Sequence, residues 1–321
     1  MEMRILLLST FLLTTAALSL AEVNVTKHAD KIDVEIDGQP FTALYLSGPD
    51  VTKPYLHPIR AANGKIVSRV WPMEEKAGEA KDHEHHRGLW FTHGDVNGFD
   101  FWANDIAQRK GRGGDKKGTV ELISVDQMKS GKKQGSIVAT FAWKDPSGKV
   151  LLKETKRIVF SGNAKLRIID YTTTLTGVEK ARFGDTKEGV FALRLTAPLD
   201  GKHSGKMISA EGAVGEKAVW GKRSPWVDYV GTLEGETMGV AILDHPTNPK
   251  HPTYWHSRDY GLFAANVFGE HDFYADKSKD GGMTLEPGKS WRFKYRLVVH
   301  PGDAQAAGIA AMFSKWGAAK K

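Results

Sequence analysis

The sequence predicts an all-β chain, a large antiparallel β-sandwich with one C-terminal helix. Three observations predict it. Short runs rich in Val, Ile, Thr, Tyr and Phe recur between residues 31 and 299, and several alternate polar with apolar residues, the period of a strand with one buried face. Hairpin-type turn signals separate neighbouring runs, above all Asp37-Gly38, Asn63-Gly64 and Asp145-Pro146-Ser147-Gly148. A convincing helical period occurs only at the end of the chain, so the crossover helices that a parallel sheet needs are missing.

Taken in order, Lys31–Ile36 alternates, turns at Asp37-Gly38 and returns as Phe41–Leu46. Asn63-Gly64 marks a second hairpin. Val120–Val125, Ser136–Trp143 and Val150–Phe160 are strand-like, with Asp145–Gly148 turning between the last two. Ser161-Gly162-Asn163 leads into Leu166–Leu175, and Gly189–Leu195, Thr237–Leu243 and Trp291–Val299 follow the same pattern. Pro301-Gly302-Asp303 then supplies a break and a cap for a helix over Asp303–Trp316. Its stripe Ile309, Met312, Phe313 and Trp316 falls at i, i+3, i+4 and i+7, a face that packs on the sheet. Lys110–Gly118 reads as a flexible basic surface loop. It is no phosphate cradle, because no strand precedes it and no helical pattern follows.

Composition narrows the function. The 321 residues include no cysteine, which removes disulfides, thiolate nucleophiles and Cys-ligated metals. The 45 Lys+Arg against 38 Asp+Glu give a net charge of +7. That charge is spread without a basic helix or a platform of stacking aromatics, so nucleic acid is not an expected partner. Arg4, the apolar run Ile5–Leu18 and the small-residue end Ser19-Leu20-Ala21 predict a cleaved signal peptide over residues 1–21. The mature chain, residues 22–321, is then periplasmic or secreted and forms one sandwich domain. No later stretch approaches the 18 apolar residues of a membrane span.

The histidines cluster. Eight of the twelve lie in two windows, at 83, 85, 86 and 93 and at 245, 251, 256 and 271. Imidazoles gathered in loops with Trp, Asp, Asn and Arg predict a polar site. In the first window Leu89–His93 is a candidate strand between Gly88 and Gly94. If the residues before it are extended, His83 and His85 share a face and His86 opposes them. His-x-His beside a carboxylate can also hold a divalent metal, although spacing does not fix a third ligand. In the second window an extended chain puts Tyr254, His256 and Arg258 on one face and Trp255 and Ser257 on the other. Glu188, at the entrance to the strand Gly189–Leu195, is a candidate general base. Trp226-Val227-Asp228-Tyr229 places an indole and a phenol around a carboxylate, which suits either a sugar ring or sheet packing.

The long motifs carry a resemblance. Asp-His-x-His-His-Arg-Gly-Leu-Trp-Phe-x-His-Gly-Asp-Val-Asn-Gly-x-Asp-Phe-Trp at 82–102, Asp-x-Lys-Glu-Gly at 185–189 and the His-, Pro- and Trp-rich stretch at 245–269 identify the chain as a member of the secreted bacterial family labelled methane oxygenase PmoA. That family brings no established catalytic residues. A looser resemblance, at the level of fold, is to the galactose mutarotase-like supersandwich, where His, Arg, Asp and Glu face a sugar.

The combined expectation is action on a small-molecule or oligosaccharide substrate by hydrolysis, elimination or epimerisation. Candidate acids, bases and relays are His85, His86, His93, Asp95, Glu188 and His256. Arg87, Trp90, Asn97, Trp102, Trp255, Arg258 and Asn266 are the candidate substrate-binding residues, the guanidiniums and amides for oxygens and the indoles for stacking. A non-catalytic sugar-binding module is the alternative and predicts exposed aromatics. A metal-dependent oxygenase is a third and needs three converging ligands.

Overall fold

The computed structural model describes residues 21–319. The expected signal peptide lies outside the described residues, apart from Ala21. Among the described residues the strands run in chain order as β1 (Glu22–Lys27), β2 (Lys31–Ile36), β3 (Gln39–Tyr45), β4 (Tyr55–His57), β5 (Leu89–His93), β6 (Thr119–Lys129) and β7 (Gly131–Lys132). Then come β8 (Gln134–Lys144), β9 (Val150–Gly162), β10 (Arg167–Gly177), β11 (Ala181–Phe183), β12 (Gly189–Arg194) and β13 (Lys206–Ser209). The last are β14 (Trp226–Leu233), β15 (Glu236–Asp244), β16 (Tyr254–Ser257), β17 (Leu262–Asn266), β18 (Met283–Leu285) and β19 (Ser290–Pro301).

They form a nine-stranded sheet in the order β16-β17-β12-β5-β4-β3-β2-β1-β7 and an eight-stranded sheet in the order β13-β14-β15-β19-β10-β9-β8-β6. β11 and β18 make a separate two-stranded ribbon. All strand pairs are antiparallel, as hairpin signals require. The two large sheets pack face to face over one apolar core. Phe191 stacks on Tyr295 with centroids 4.6 Å apart, and Phe91 meets Phe293 at 5.6 Å. The core also holds a charge pair. Lys156 is ion-paired to Glu154, which accepts further bonds from Trp143 Nε1 (2.7 Å) and Thr173 Oγ1 (2.6 Å). The rings of Phe91, Phe141 and Tyr171 surround the ammonium at 5.4–5.5 Å, so each buried charge finds the partners it needs in low dielectric.

The helices are α1 (Ile106–Lys110), α2 (Glu216–Val219), α3 (Glu270–Phe273) and α4 (Ile309–Ala318). No helix among the described residues is long and apolar enough to cross a membrane. The α4 stripe packs on the outer face of the eight-stranded sheet against Trp226, Leu243 and Val298. The helix starts at Ile309 rather than Asp303. The Asp303 carboxylate instead accepts from Ala306 N (2.8 Å) in a run of turns, and Gly308 at φ +67 sets the helix entry. The basic stretch expected to be an open loop contains the end of α1 and a 3₁₀ turn at Gly114–Lys116.

What positions the site is the cover of the nine-stranded sheet. Residues 58–88 contain no strand and link β4 to β5. They bridge back to the sheet at Ser68–Leu195. This cover explains why β12 reads as a continuous buried run rather than an alternation: both of its faces are packed.

Candidate functional site

The register places one row of side chains across the outer face of the nine-stranded sheet. His256 pairs with Ala264, Ala264 with Ala192, Ala192 with Trp90, and Trp90 with Tyr55. Two alanines thus separate His256 from Trp90, three strand spacings or roughly 14 Å apart. Over this floor stands a column of rings. Tyr260 stacks on His83 (5.2 Å), His83 on His86 (4.8 Å) and His86 on Trp90 (5.3 Å), while His85 meets His86 edge-on at 4.4 Å. The two histidine windows therefore meet, at His83 and Tyr260. Residues 83–86 are not extended. A turn closed by His86 N donating to His83 O (2.9 Å) folds the three rings together instead of splitting them between faces.

Two buried guanidiniums hold that turn. Arg69 donates to the carbonyls of Ala80, Asp82, His83 and His86 and to Asp82 Oδ1 (2.8 Å). Arg194, on the outer face of β12, donates to Asp82 Oδ1 (2.8 Å) and to His86 Nδ1 (3.3 Å). Burial and the neighbouring Arg194 lower Arg69 to about 9, still protonated at neutral pH. Burial alone would raise the Asp82 carboxyl, but Arg194, His83 and Arg69 outweigh it and hold it below its ordinary value. Sequence reading missed both arginines and Asp82. The signal was present: a lone Arg inside an apolar strand is buried only when paired.

His83 differs from its neighbours. Its side chain is 41 % exposed and its Nδ1 lies 3.3 Å from Asp82 Oδ2. Its backbone is left-handed at φ +49, a conformation that costs a non-glycine residue about 1 kcal/mol and is held here by the Arg69 bond to its carbonyl. By contrast, burial drives His86 well below 6.5 and, helped by Lys53, takes His85 to about 2. His85 Nδ1 accepts from Gln108 (2.9 Å). Burial, with Lys187 and Arg258, lowers His256 to about 3, and its Nδ1 accepts from Trp220 Nε1 (3.1 Å). Burial thus keeps these three imidazoles neutral at neutral pH, where they serve as packed hydrogen-bonding groups. Lys53, also missed, is buried beside Trp90, donates to Trp102 O and Asn104 Oδ1, and is lowered by burial to about 7.

Beside the column lies a cleft of about 280 Å³ lined by Arg69, Asp82, Arg194, Asp200, His203 and Tyr260, among others. The Arg194 guanidinium sits 4.7 Å from the Tyr260 ring. Nearly every cation here is already committed to a carboxylate or carbonyl, so the cleft offers a balanced polar lining rather than free positive charge. Glu188 is half-buried, ion-paired to Lys187 Nζ (2.7 Å) and electrostatically coupled to Tyr260.

Other expected residues do not converge here. His93 faces the inter-sheet core, where its Nε2 meets Gly184 O (2.9 Å) between Phe183 and Phe268, because alternation along β5 sends it opposite to Trp90. Trp255 faces the same core and donates to Ser224 O (2.9 Å). Asp95 closes a turn by accepting from Gly98 N (2.8 Å), and Asn97, at φ +55, bonds Lys180 O and Arg182 N. Arg87 is spent on Asp105 (2.7 Å). Trp90 and Trp102 are the exception: both lie under His86 at the foot of the column, fully buried against each other. Asn266 donates to the carbonyls of Thr186 and Lys187 and so anchors the segment that presents Glu188. Arg258 pairs with Glu216 Oε1 (3.0 Å) at the rim. Asp228 and Tyr229 are sheet residues, Asp228 bound to His300 (3.1 Å). His245 and His251 pack under α4 on Trp316 and Phe313. For a divalent metal, no group of three His, Asp or Glu among the described residues is placed to hold one.

A search of curated proteins gives no match. Similar solved structures include a galactose mutarotase-like protein from Clostridium acetobutylicum, 11% identical, covering 88% of this chain and 99% of that one, with a TM-score of 0.43. Others are an alpha-galactosidase from Lactobacillus brevis (9% identity, TM-score 0.41) and a heparan sulfate lyase mutant from Pedobacter heparinus (10%, 0.42). Each of these covers 88% of this chain, which spans only 39% and 37% of theirs. A family model matches residues 31–314, from β2 into α4, and the chain belongs to the family of unknown function DUF6807.

Proposed function

We propose that the protein acts on a neutral sugar at the outer face of the nine-stranded sheet, with His83 moving the proton. The observation that carries this reading is His83 itself. It is the solvent-facing imidazole of the ring column, Arg69 holds it in a left-handed backbone, and it touches Asp82 and Tyr260, which line the cleft. A positioned imidazole with a carboxylate partner can take a proton from a water, a sugar hydroxyl or a sugar carbon and, once protonated, give it to a departing or ring oxygen or back to carbon. Proton transfer of this kind is common to hydrolysis, elimination and epimerisation. Glu188 is the second proton-transfer group. The guanidiniums at the cleft already have partners, which favours an uncharged substrate. The fully buried Trp90, Trp102 and Trp255 weigh against a passive module that stacks sugars on exposed indoles. The PmoA label suggests oxygenase chemistry, for which the described residues offer no three-ligand set.

The test is His83→Ala. On a panel of monosaccharides and disaccharides followed by NMR, turnover should fall about 10²–10⁴-fold with an unchanged melting temperature. Undiminished turnover, or loss of folding, sinks the assignment. Export belongs to the same proposal: intact-mass measurement on exported protein should show an N terminus at Glu22, and retention of Met1 would defeat it.

A further inference from the structure

A second cavity, of about 440 Å³, opens beside the first and is lined by Glu216, Lys217, Trp220, Arg258 and Asp259. The turn between β16 and β17 supplies both cavities. Its Tyr260 lines the histidine-side cleft, and its Arg258 and Asp259 line the second. The turn is stiff: Gly261 N donates to Arg258 O (2.9 Å), and Asp259 N donates to Glu216 Oε2 (2.6 Å). Trp220 is fixed by packing edge-on against Phe273 (5.3 Å) while remaining half-exposed. The Arg258 guanidinium stands 5.8 Å from the rings of both Trp220 and Tyr260, so one cation ties the two cavities together.

We infer that this second cavity takes another ring of the same substrate, so that the substrate is a di- or oligosaccharide lying across the Arg258–Tyr260 turn. The inference rests on the sugar reading above. An indole offers apolar area to the C–H face of a pyranose. Arg258 with Glu216, and Asp259 beside them, offer paired donors and acceptors at fixed height for the hydroxyls of that ring. An uncharged ring suits the lining, since its two cations, Lys217 and Arg258, are balanced by its two carboxylates, Glu216 and Asp259. Trp220 also donates to His256 Nδ1 (3.1 Å) on the histidine side, whereas Asp259 lines the second cavity and not the first, so Asp259 is the residue whose effect is confined to the second ring.

The experiment compares monosaccharides with their disaccharides, glucose with cellobiose and maltose and galactose with lactose and melibiose, by titration calorimetry. Wild type should bind at least one disaccharide about tenfold more tightly than the parent monosaccharide. Asp259→Ala, which leaves the Trp220–His256 bond in place, should weaken the disaccharide and leave monosaccharide affinity within twofold. Trp220→Ala should erase the disaccharide advantage. Equal weakening of both ligands, or no preference for any disaccharide in wild type, overturns the inference while sparing the sugar site. Absence of binding by every sugar overturns the sugar site itself.

Discussion

Burial, more than composition, decides what each histidine can do. His57, His85, His86, His93 and His256 are all buried, and desolvation is the leading cause that lowers each of them, to about 3, about 2, well below 6.5, about 4 and about 3 respectively. Unfolded, each titrates near 6.5. Between roughly pH 6.5 and 4 the unfolded chain therefore binds more protons than the folded one, and stability falls as pH falls through that window. Each such histidine contributes up to about 1.4 kcal/mol per pH unit. Acid unfolding should thus begin near pH 6, above the carboxylate range. Calorimetry at pH 5 in buffers of different ionisation enthalpy should record an uptake of about five protons on unfolding, one for each of these histidines. An uptake no larger than at pH 7.5 would show that the imidazoles are solvated.

At the scale of elements, the site depends on how closely β4 and β5 approach. Gly88 precedes β5 at φ +53, and a Cβ there would lie 2.1 Å from Leu56 O. That atom is backbone of β4, so it cannot move without breaking the Leu56–Leu89 pairing. Gly88→Ala should cost at least about 3 kcal/mol in urea denaturation, or prevent folding. Gly148, at φ +88 with nothing within 4 Å of its Cβ position, is the control: Gly148→Ala there should cost only the local strain, about 1 kcal/mol. Similar losses at the two positions would refute the close-approach argument. Elements were also the most legible level of the sequence. Lys31–Ile36 is β2 to the residue, Leu89–His93 is β5, and Val150–Phe160 and Trp291–Val299 fall within β9 and β19, because alternation and turn chemistry are local properties of the chain. The α4 boundary was misplaced because a cap at Asp303 and a left-handed Gly308 compete within six residues, and the turn won.

For the whole molecule, the sequence by itself determined the all-β class, the hairpin turns at Asp37-Gly38 and Asp145–Gly148, the apolar stripe of the terminal helix and the presence of a histidine-rich polar region near residues 83–93. All of these follow from periodicity and residue chemistry over short distances. The hairpin expected at Asn63-Gly64 is a turn in the cover, flanked only by the isolated bridge Arg60–Ile66. Only the tertiary structure decided which histidines share a site. His245, His251 and His256 are neighbours in sequence, yet the first two pack under α4 on the outer side of the eight-stranded sheet and the third lies on the outer face of the other. His93 and Trp90 are three residues apart and face opposite ways. Arg69 and Asp82 of the cover, Arg194 of β12 and Tyr260 of the β16–β17 turn come from three separate stretches of chain and surround one ring column. The physical reason is that sheet order, set by long-range strand pairing, brings β16, β17, β12 and β5 side by side. The strand period then sends alternate side chains to opposite faces, and a short sequence window carries no record of either the pairing or the loop that covers it.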